Sequence, residues 1–193
     1  MIAAVVMAAG ASTRFGSQKL LAPVNGVPLV RRTVEQVVAA SLDAIVVVLG
    51  REDKAVRAAL DGMSVRFVMN PHFRDGMYTS LRAGIRHLGR TADAAIIVLG
   101  DQPRISAATI VSLIDEYRRS RQPIVVPIYS GTRGHPVLFD ASVFPELEAV
   151  VGDQGGREVI GRDPGRVAMV HLPFAMPGDV DTIEDFRALI DDR

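Results

Sequence analysis

Short apolar runs recur along the chain at residues 3–7, 44–49, 65–69, 94–99, 124–127 and 167–172, with helical patterns between them. The runs are nearly continuous in Val, Ile, Leu and Ala rather than alternating apolar with polar. Strands covered on both faces by crossover helices have this pattern, so the order predicts an α/β fold with a doubly wound, mostly parallel sheet. Pro28 falls early in a helical stretch over 29–40, where Val30, Val34, Val37 and Val38 share a spacing that predicts packing on the sheet. Ser106 is placed as the N-cap of a second helix ending near Ser120. A third stretch, 79–88, puts Leu81, Ile85 and Leu88 on one face and leaves Arg82 and Arg86 elsewhere on the wheel. From 129 to 165 the rhythm breaks, and glycines and prolines crowd the chain. This reads as a small β-containing insertion within one domain spanning 1–193, placed beyond the carboxyl ends of the strands where ligands bind.

Composition narrows the function classes. A chain of 193 residues suits one sizeable core, and 48% hydrophobic with 23% charged residues is ordinary globular content. Lys plus Arg and Asp plus Glu stand at 22 each, so net charge draws the chain neither to nucleic acid nor to an anionic membrane. Any anionic ligand must meet local charge. The absence of Cys excludes disulfides, a catalytic thiol and thiolate metal sites, and fits a reducing cytoplasm. The first apolar run lacks a basic leader and is too short for a signal or membrane segment, so a cytoplasmic protein is expected.

Three motifs can carry chemistry. After the first strand comes Ala8-Ala9-Gly10-Ala11-Ser12-Thr13-Arg14-Phe15-Gly16-Ser17-Gln18-Lys19. Its small residues let backbone N–H groups approach a phosphate, and Arg14 and Lys19 add the charge a triphosphate needs. The plainer alternative is a βα turn with solvated basic side chains. The loop has no G-K-[ST] and the chain has no G-x-G, which removes P-loop and dinucleotide-fingerprint enzymes. Leu99-Gly100-Asp101-Gln102-Pro103 follows the fourth run, where a carboxylate at a strand's carboxyl end can hold Mg²⁺ over the crevice; Asp101 as a turn-forming residue before Pro103 is the alternative. Asp179-Val180-Asp181-Thr182-Ile183-Glu184-Asp185 precedes the last helix. Thr182 and Asp185 resemble a capping box, which leaves Asp181 as a second carboxylate for the same ion. His135 could contact a ligand or cap a turn, whereas His72, His87 and His171 are scattered without metal-ligand spacing. Met7, Met63, Met69, Met77 and Met169 are expected as core fillers or pocket lining.

Taken together, the A-A-G-x-S-x-R-x-G-x-x-K loop, L-G-D-Q-P, G-H-P-V-L-F at 134–139, G-D-Q-G-G-R at 152–157 and D-V-D-T-x-E-D resemble molybdenum-cofactor cytidylyltransferases, in order and over nearly the whole chain. The resemblance implies a Rossmann-like, GT-A-like nucleotidyltransferase fold that moves CMP from CTP to the phosphate of molybdenum-bound molybdopterin, with Mg²⁺ as cofactor. It implies that Ala8, Ala9, Gly10, Ala11, Ser12, Gly100, Asn70 and Ser80 line the nucleotide, that Arg14 and Lys19 grip its phosphates with Asp101 as catalytic partner, and that Asp101 and Asp181 hold the metal. Gly134, His135, Pro136, Asp153, Gly155, Gly156 and Arg157 would face the acceptor, making 129–165 the acceptor-binding insertion. A molybdoenzyme or its chaperone is the implied protein partner. Guanylyltransferases of the same cofactor usually carry A-G-G in the first loop and Asn at the second acidic position, where this chain has Ala9 and Asp181. Ile183 stands where the family usually has Pro, which removes no candidate ligand. Another phosphorylated acceptor, and a non-enzymatic molybdopterin carrier, are the remaining alternatives.

Overall fold

The structure, a computed structural model, describes residues 1–10, 15, 18–50, 53–152 and 155–191. Strand β1 (Ile2–Ala8) leads on to a small antiparallel hairpin, β2 (Pro23–Val24) with β3 (Val27–Pro28), and then to helix α1 (Leu29–Ala39). Three strand–helix passes follow: β4 (Ala44–Leu49) with α2 (Asp53–Ala59), β5 (Arg66–Met69) with α3 (Met77–Leu88), and β6 (Ala94–Leu99) with α4 (Ala107–Ser120). The remainder runs β7 (Ile124–Tyr129), β8 (Thr132–Arg133), β9 (Val137–Asp140), α5 (Phe144–Ala149), α6 (Gly156–Arg162), β10 (Val167–Leu172) and α7 (Ile183–Asp191).

The main sheet has the order β10-β7-β9-β6-β1-β4-β5, with β8 paired to β7. Pairing is parallel from β6 through β1 and β4 to β5 and between β7 and β10, while β9 is antiparallel to both β6 and β7. Two antiparallel steps restore the original direction. The carboxyl ends of β1, β4, β5, β6, β7 and β10 therefore share one edge of the sheet with the amino end of β9. The glycine-rich stretch at 129–165 thus supplies a central strand as well as surface, and Leu138 and Phe139 of β9 are buried.

Period-2 geometry divides each strand between two apolar layers. Ala4, Val6 and Ala8 of β1 join Val34 of α1 and Leu113 of α4 on one face. Ala3 and Val5 join Leu81 and Ile85 of α3, Leu147 of α5 and Val159 of α6 on the other. Burial on both faces is why the central strands read as continuous apolar runs. Val30, Val34 and Val37 are fully buried, but Val38 is 39% exposed, because it lies roughly 70° around the helix from the stripe that the other three define. Met69 and Met169 also depart from the core-filling expectation and are exposed, being on the edge strands β5 and β10. Ser106 caps α4 by accepting from the Thr109 N–H. Gly84 brings α3 close to the sheet, since a Cβ there would lie 2.3 Å from Val5 Cγ1. Among the described residues no helix is long and apolar enough to cross a membrane.

Candidate active site

At the end of β6, Gly100 donates its N–H to the Met7 carbonyl at 3.0 Å, and its own carbonyl accepts from Thr33 Oγ1 at 3.1 Å. A Cβ on Gly100 would sit 2.8 Å from that Met7 oxygen, so only glycine lets the next residue, Asp101, follow so close to the end of β1. The segment after β10 crosses the same edge and docks there, with the Val180 N–H donating to the Asp101 carbonyl at 3.2 Å and Val180 buried. Asp185 Oδ2 accepts from Thr182 N–H and Oγ1, each at 2.8 Å, and from the Asp181 N–H at 3.0 Å. Thr182 Oγ1 in turn accepts from the Asp185 N–H at 3.1 Å. This is a reciprocal cap with Asp in the usual Glu position. The Thr182 bonds hold the Asp185 carboxyl below the usual range. The cap takes up the Asp181 N–H, while the Asp181 carboxylate reaches Lys19.

Lys19 joins the two carboxylates, with Nζ 2.6 Å from Asp101 Oδ2 and 2.9 Å from Asp181 Oδ1. Burial works against its charge, but Asp101 and Asp181 outweigh burial and raise the ammonium above its ordinary value. Lys19 therefore stays cationic at neutral pH. Asp179 belongs to the same group: its Oδ1 accepts from Gln102 Nε2, and burial, with Asp101 and Asp181 behind it, pushes its carboxyl up against the pull of that hydrogen bond. Two carboxylates sharing one cation form an all-oxygen donor pair of the type hard divalent ions take, with phosphates and water completing the shell. Among the described residues no group of three or more His or acidic side chains is placed to hold a metal ion.

The expected nucleotide residues fall in two places. Ala8 and Ala9 are buried at the end of β1 and Gly10 is exposed beyond them. Gly50 lies against Ala9, where a Cβ would meet the Ala9 carbonyl at 2.7 Å. Ala11, Ser12 and Arg14 lie outside the described residues. Phe15, which is described, is buried and packs edge-on against Phe186 of α7 at 5.7 Å. Asn70 and Ser80 are buried at the end of β5 and the start of α3. Asn70 Nδ2 donates to Thr79 Oγ1 at 2.8 Å and Ser80 Oγ at 2.9 Å, while its Oδ1 accepts from the His72 N–H at 3.0 Å. That bonding fixes the turn entering α3.

Beside the Asp179–Gln102 contact opens a cleft of about 250 Å³. It brings together Gly134, His135, Gly155, Gly156 and Arg157, all expected to face an acceptor, with Pro136 buried next to His135. Asp153 lies outside the described residues. Gly134 and Gly156 keep the walls close, since a Cβ would meet Met176 Sδ at 2.5 Å in the first case and the Phe139 ring at 2.9 Å in the second. Tyr129 Oη donates to the His135 carbonyl at 2.6 Å, and burial pushes the Tyr129 phenol up to about 12. Burial, reinforced by Arg157, lowers the His135 imidazole and favours its neutral form. The cleft also contains Gln102, Asp179, Arg133 and Met176, which sequence reasoning did not assign. Gln102 and Asp179 stood inside quoted motifs, next to and near the metal candidates. Arg133 adjoined Gly134, and Met176 carried no local signal. Met7 and Met77 line the cleft, as expected. His72, His87 and His171 are exposed.

A family model described as the MobA-like NTP transferase domain matches residues 4–167. Nicotine blue oxidoreductase of Paenarthrobacter nicotinovorans is 32% identical over 98% of this chain and 96% of its own length. The crystal structure of Rv0371c from Mycobacterium tuberculosis H37Rv superposes with a TM-score of 0.88 at 32% identity, covering 98% of this chain and 97% of that one. The same mycobacterial protein has been solved in complex with manganese, with a TM-score of 0.82 at the same identity and coverage. A nucleotidyl transferase from Methanothermobacter, Mth528, superposes at 0.81 with 27% identity, over 100% of this chain and 97% of its own.

Proposed function

The chain belongs to the MobA-like NTP transferase family, and we propose that within it this protein transfers CMP from CTP to the phosphate of molybdenum-bound molybdopterin, releasing pyrophosphate. The observation that carries this reading is the junction of the Asp101–Lys19–Asp181 cluster with a cleft that contains Arg157 and His135. In the reaction an oxygen of the acceptor phosphate attacks the α-phosphorus of CTP. The new P–O bond forms as the bond to the β-phosphate oxygen breaks, and pyrophosphate leaves with that electron pair. The nucleophile is already anionic, so the chain needs no strong base. It must hold two anions together and in line, a positioning task worth roughly 7–11 kcal/mol in well-oriented systems.

Lys19 supplies a positive charge between Asp101 and Asp181, and its flexible stem allows Nζ to pass from the carboxylates to phosphate oxygens. Arg14 is assigned to the same phosphates. Backbone groups of Ala8, Ala9, Gly10, Ala11, Ser12 and Gly100 line the nucleotide, and Ser80, braced by Asn70, turns its hydroxyl to the base. Asp101 and Asp181 would hold Mg²⁺, which when bound neutralises phosphate charge and orients the leaving group. Gly134, His135, Pro136, Asp153, Gly155, Gly156 and Arg157 face the acceptor, with Arg157 on its phosphate. Ala9 and Asp181 favour CTP over GTP. The setting is cytoplasmic, with a molybdoenzyme or its chaperone as the recipient.

The relative called an oxidoreductase makes a redox reaction a second reading. One assay separates the two: Mg²⁺-dependent pyrophosphate release with CTP or GTP, with and without molybdenum-loaded molybdopterin, run beside electron transfer to or from a redox dye. Release that needs both CTP and acceptor is expected, with Asp101→Asn slowing it at least about a hundredfold. GTP preference would assign the sister guanylyl transfer. Electron transfer without pyrophosphate release would replace group transfer with redox chemistry.

A further inference from the structure

Two buried polar atoms have no hydrogen-bond partner within the protein although their residues line the same cleft: Gln102 Oε1 and His135 Nδ1. Buried polar groups are almost always satisfied, and one that is not marks a place where a partner from outside fits. Neither is a surface accident. Gln102 is 2% exposed, and its amide is oriented by Nε2 donating to Asp179 Oδ1, so the carbonyl is the end left over. His135 is fixed by the Tyr129 hydroxyl on its carbonyl. Burial and Arg157 favour the neutral ring, in which one nitrogen donates and the other accepts, and we take Nδ1, the nitrogen with no partner in the protein, as the acceptor.

The rest of the cleft is apolar in its walls, with Met7, Leu81, Ile97 and Met176 among them, and carries cations in Arg133 and Arg157. Apolar walls, two acceptors and two cations define a ligand: a flat heterocycle with N–H donors on its edge and an anionic tail. A sugar phosphate brings hydroxyls that can donate or accept and no apolar faces of that breadth.

We propose that Gln102 Oε1 and His135 Nδ1 select the acceptor by receiving N–H hydrogen bonds from its ring, with Asp179 positioning Gln102 to do so. This rests on the cleft being the acceptor site of the transfer reaction and names the atoms that read its ring. An acceptor ring that presents a carbonyl where an amino group belongs leaves Gln102 facing a like group, and the pair discriminates against it.

The test uses binding alone. Pterin-6-carboxylate and lumazine-6-carboxylate share a flat fluorescent ring and an anionic tail, but lumazine has a carbonyl in place of the 2-amino group. Titrated into the full chain, the pterin is expected to bind about tenfold more tightly. Gln102→Met, close in volume and without polar reach, should bring the two affinities within about twofold of each other while CTP binding with Mn²⁺ stays unchanged. Asp179→Asn, which frees the Gln102 amide to turn over, should shrink the preference while keeping the thermal unfolding midpoint. Equal affinity of the unaltered protein for both rings, no binding of either, or a preference that survives Gln102→Met overturns the inference. The transfer reading fails separately: a pterin preference with no pyrophosphate release from any nucleotide would sink that reading and leave the ring-reading pair in place.

Discussion

Lys19 Nζ stands where a divalent cation would also be drawn, between Asp101 and Asp181. In the proposed reaction one ammonium and one metal ion would compete for the two carboxylates, and the triphosphate would give the displaced lysine its next partner. Lys19→Met removes the cation that joins the pair, at a cost of about 1–3 kcal/mol for a contact in which Lys19 and Asp101 are each less than a third exposed. The metal-free variant is therefore expected to melt lower than the unaltered protein, and Mn²⁺ to raise its midpoint by more, because no lysine has to leave. Equal Mn²⁺-induced shifts in the two proteins would show that Lys19 does not share the metal's place. Asp101, Lys19 and Asp181 were legible in the sequence because each stood in a motif with a chemical reason. Gln102 and Asp179 stand in the same motifs without a local signal, since an amide and a third carboxylate gain meaning only where they touch.

Helix α3 forms a wall of the cleft through Met77 and Leu81, and its distance from the sheet is set by Gly84. Helix propensity alone would have Gly84→Ala stabilise by about 1 kcal/mol. The new methyl would lie 2.3 Å from Val5 Cγ1, on a strand packed from both faces, so overpacking at about 1–3 kcal/mol should win. Urea unfolding should show a lower midpoint with an unchanged slope; a raised midpoint would mean that α3 can move outward freely. The ends of helices were well marked in the sequence: Ser106 caps α4, and Thr182 with Asp185 caps α7, which places Asp181. Side-chain exposure at the margins was less legible, as Val38, Met69 and Met169 show.

Across the whole molecule, acid sensitivity should carry a contribution from the cleft. His135 has a folded-state value below its unfolded one of 6.5, so the unfolded chain takes up its proton first as pH falls. Stability from this group is complete above 6.5, and declines below it until the folded pKa is reached, with a slope of at most about 1.4 kcal/mol per pH unit. Replacing His135 by Gln should flatten that part of the stability curve measured by urea unfolding between pH 7 and 5. An identical slope in the variant would remove His135 from the acid response.

The sequence by itself determined the α/β class, the six long apolar strands, helices α1, α3, α4 and α7 with the caps of the last two, and the choice of Asp101, Lys19 and Asp181 as candidates. All of these follow from periodicities and side-chain reach over a few residues, which a linear string records. Only the tertiary structure decided that β9 inserts antiparallel between β6 and β7, which carries Gly134 and His135 to the same edge as Asp101. It also decided that Asp179 meets Gln102, and that Met176 closes over Gly134. Those contacts depend on strand pairing and docking between distant segments, where the free energy comes from burying whole surfaces and no local pattern encodes the partner.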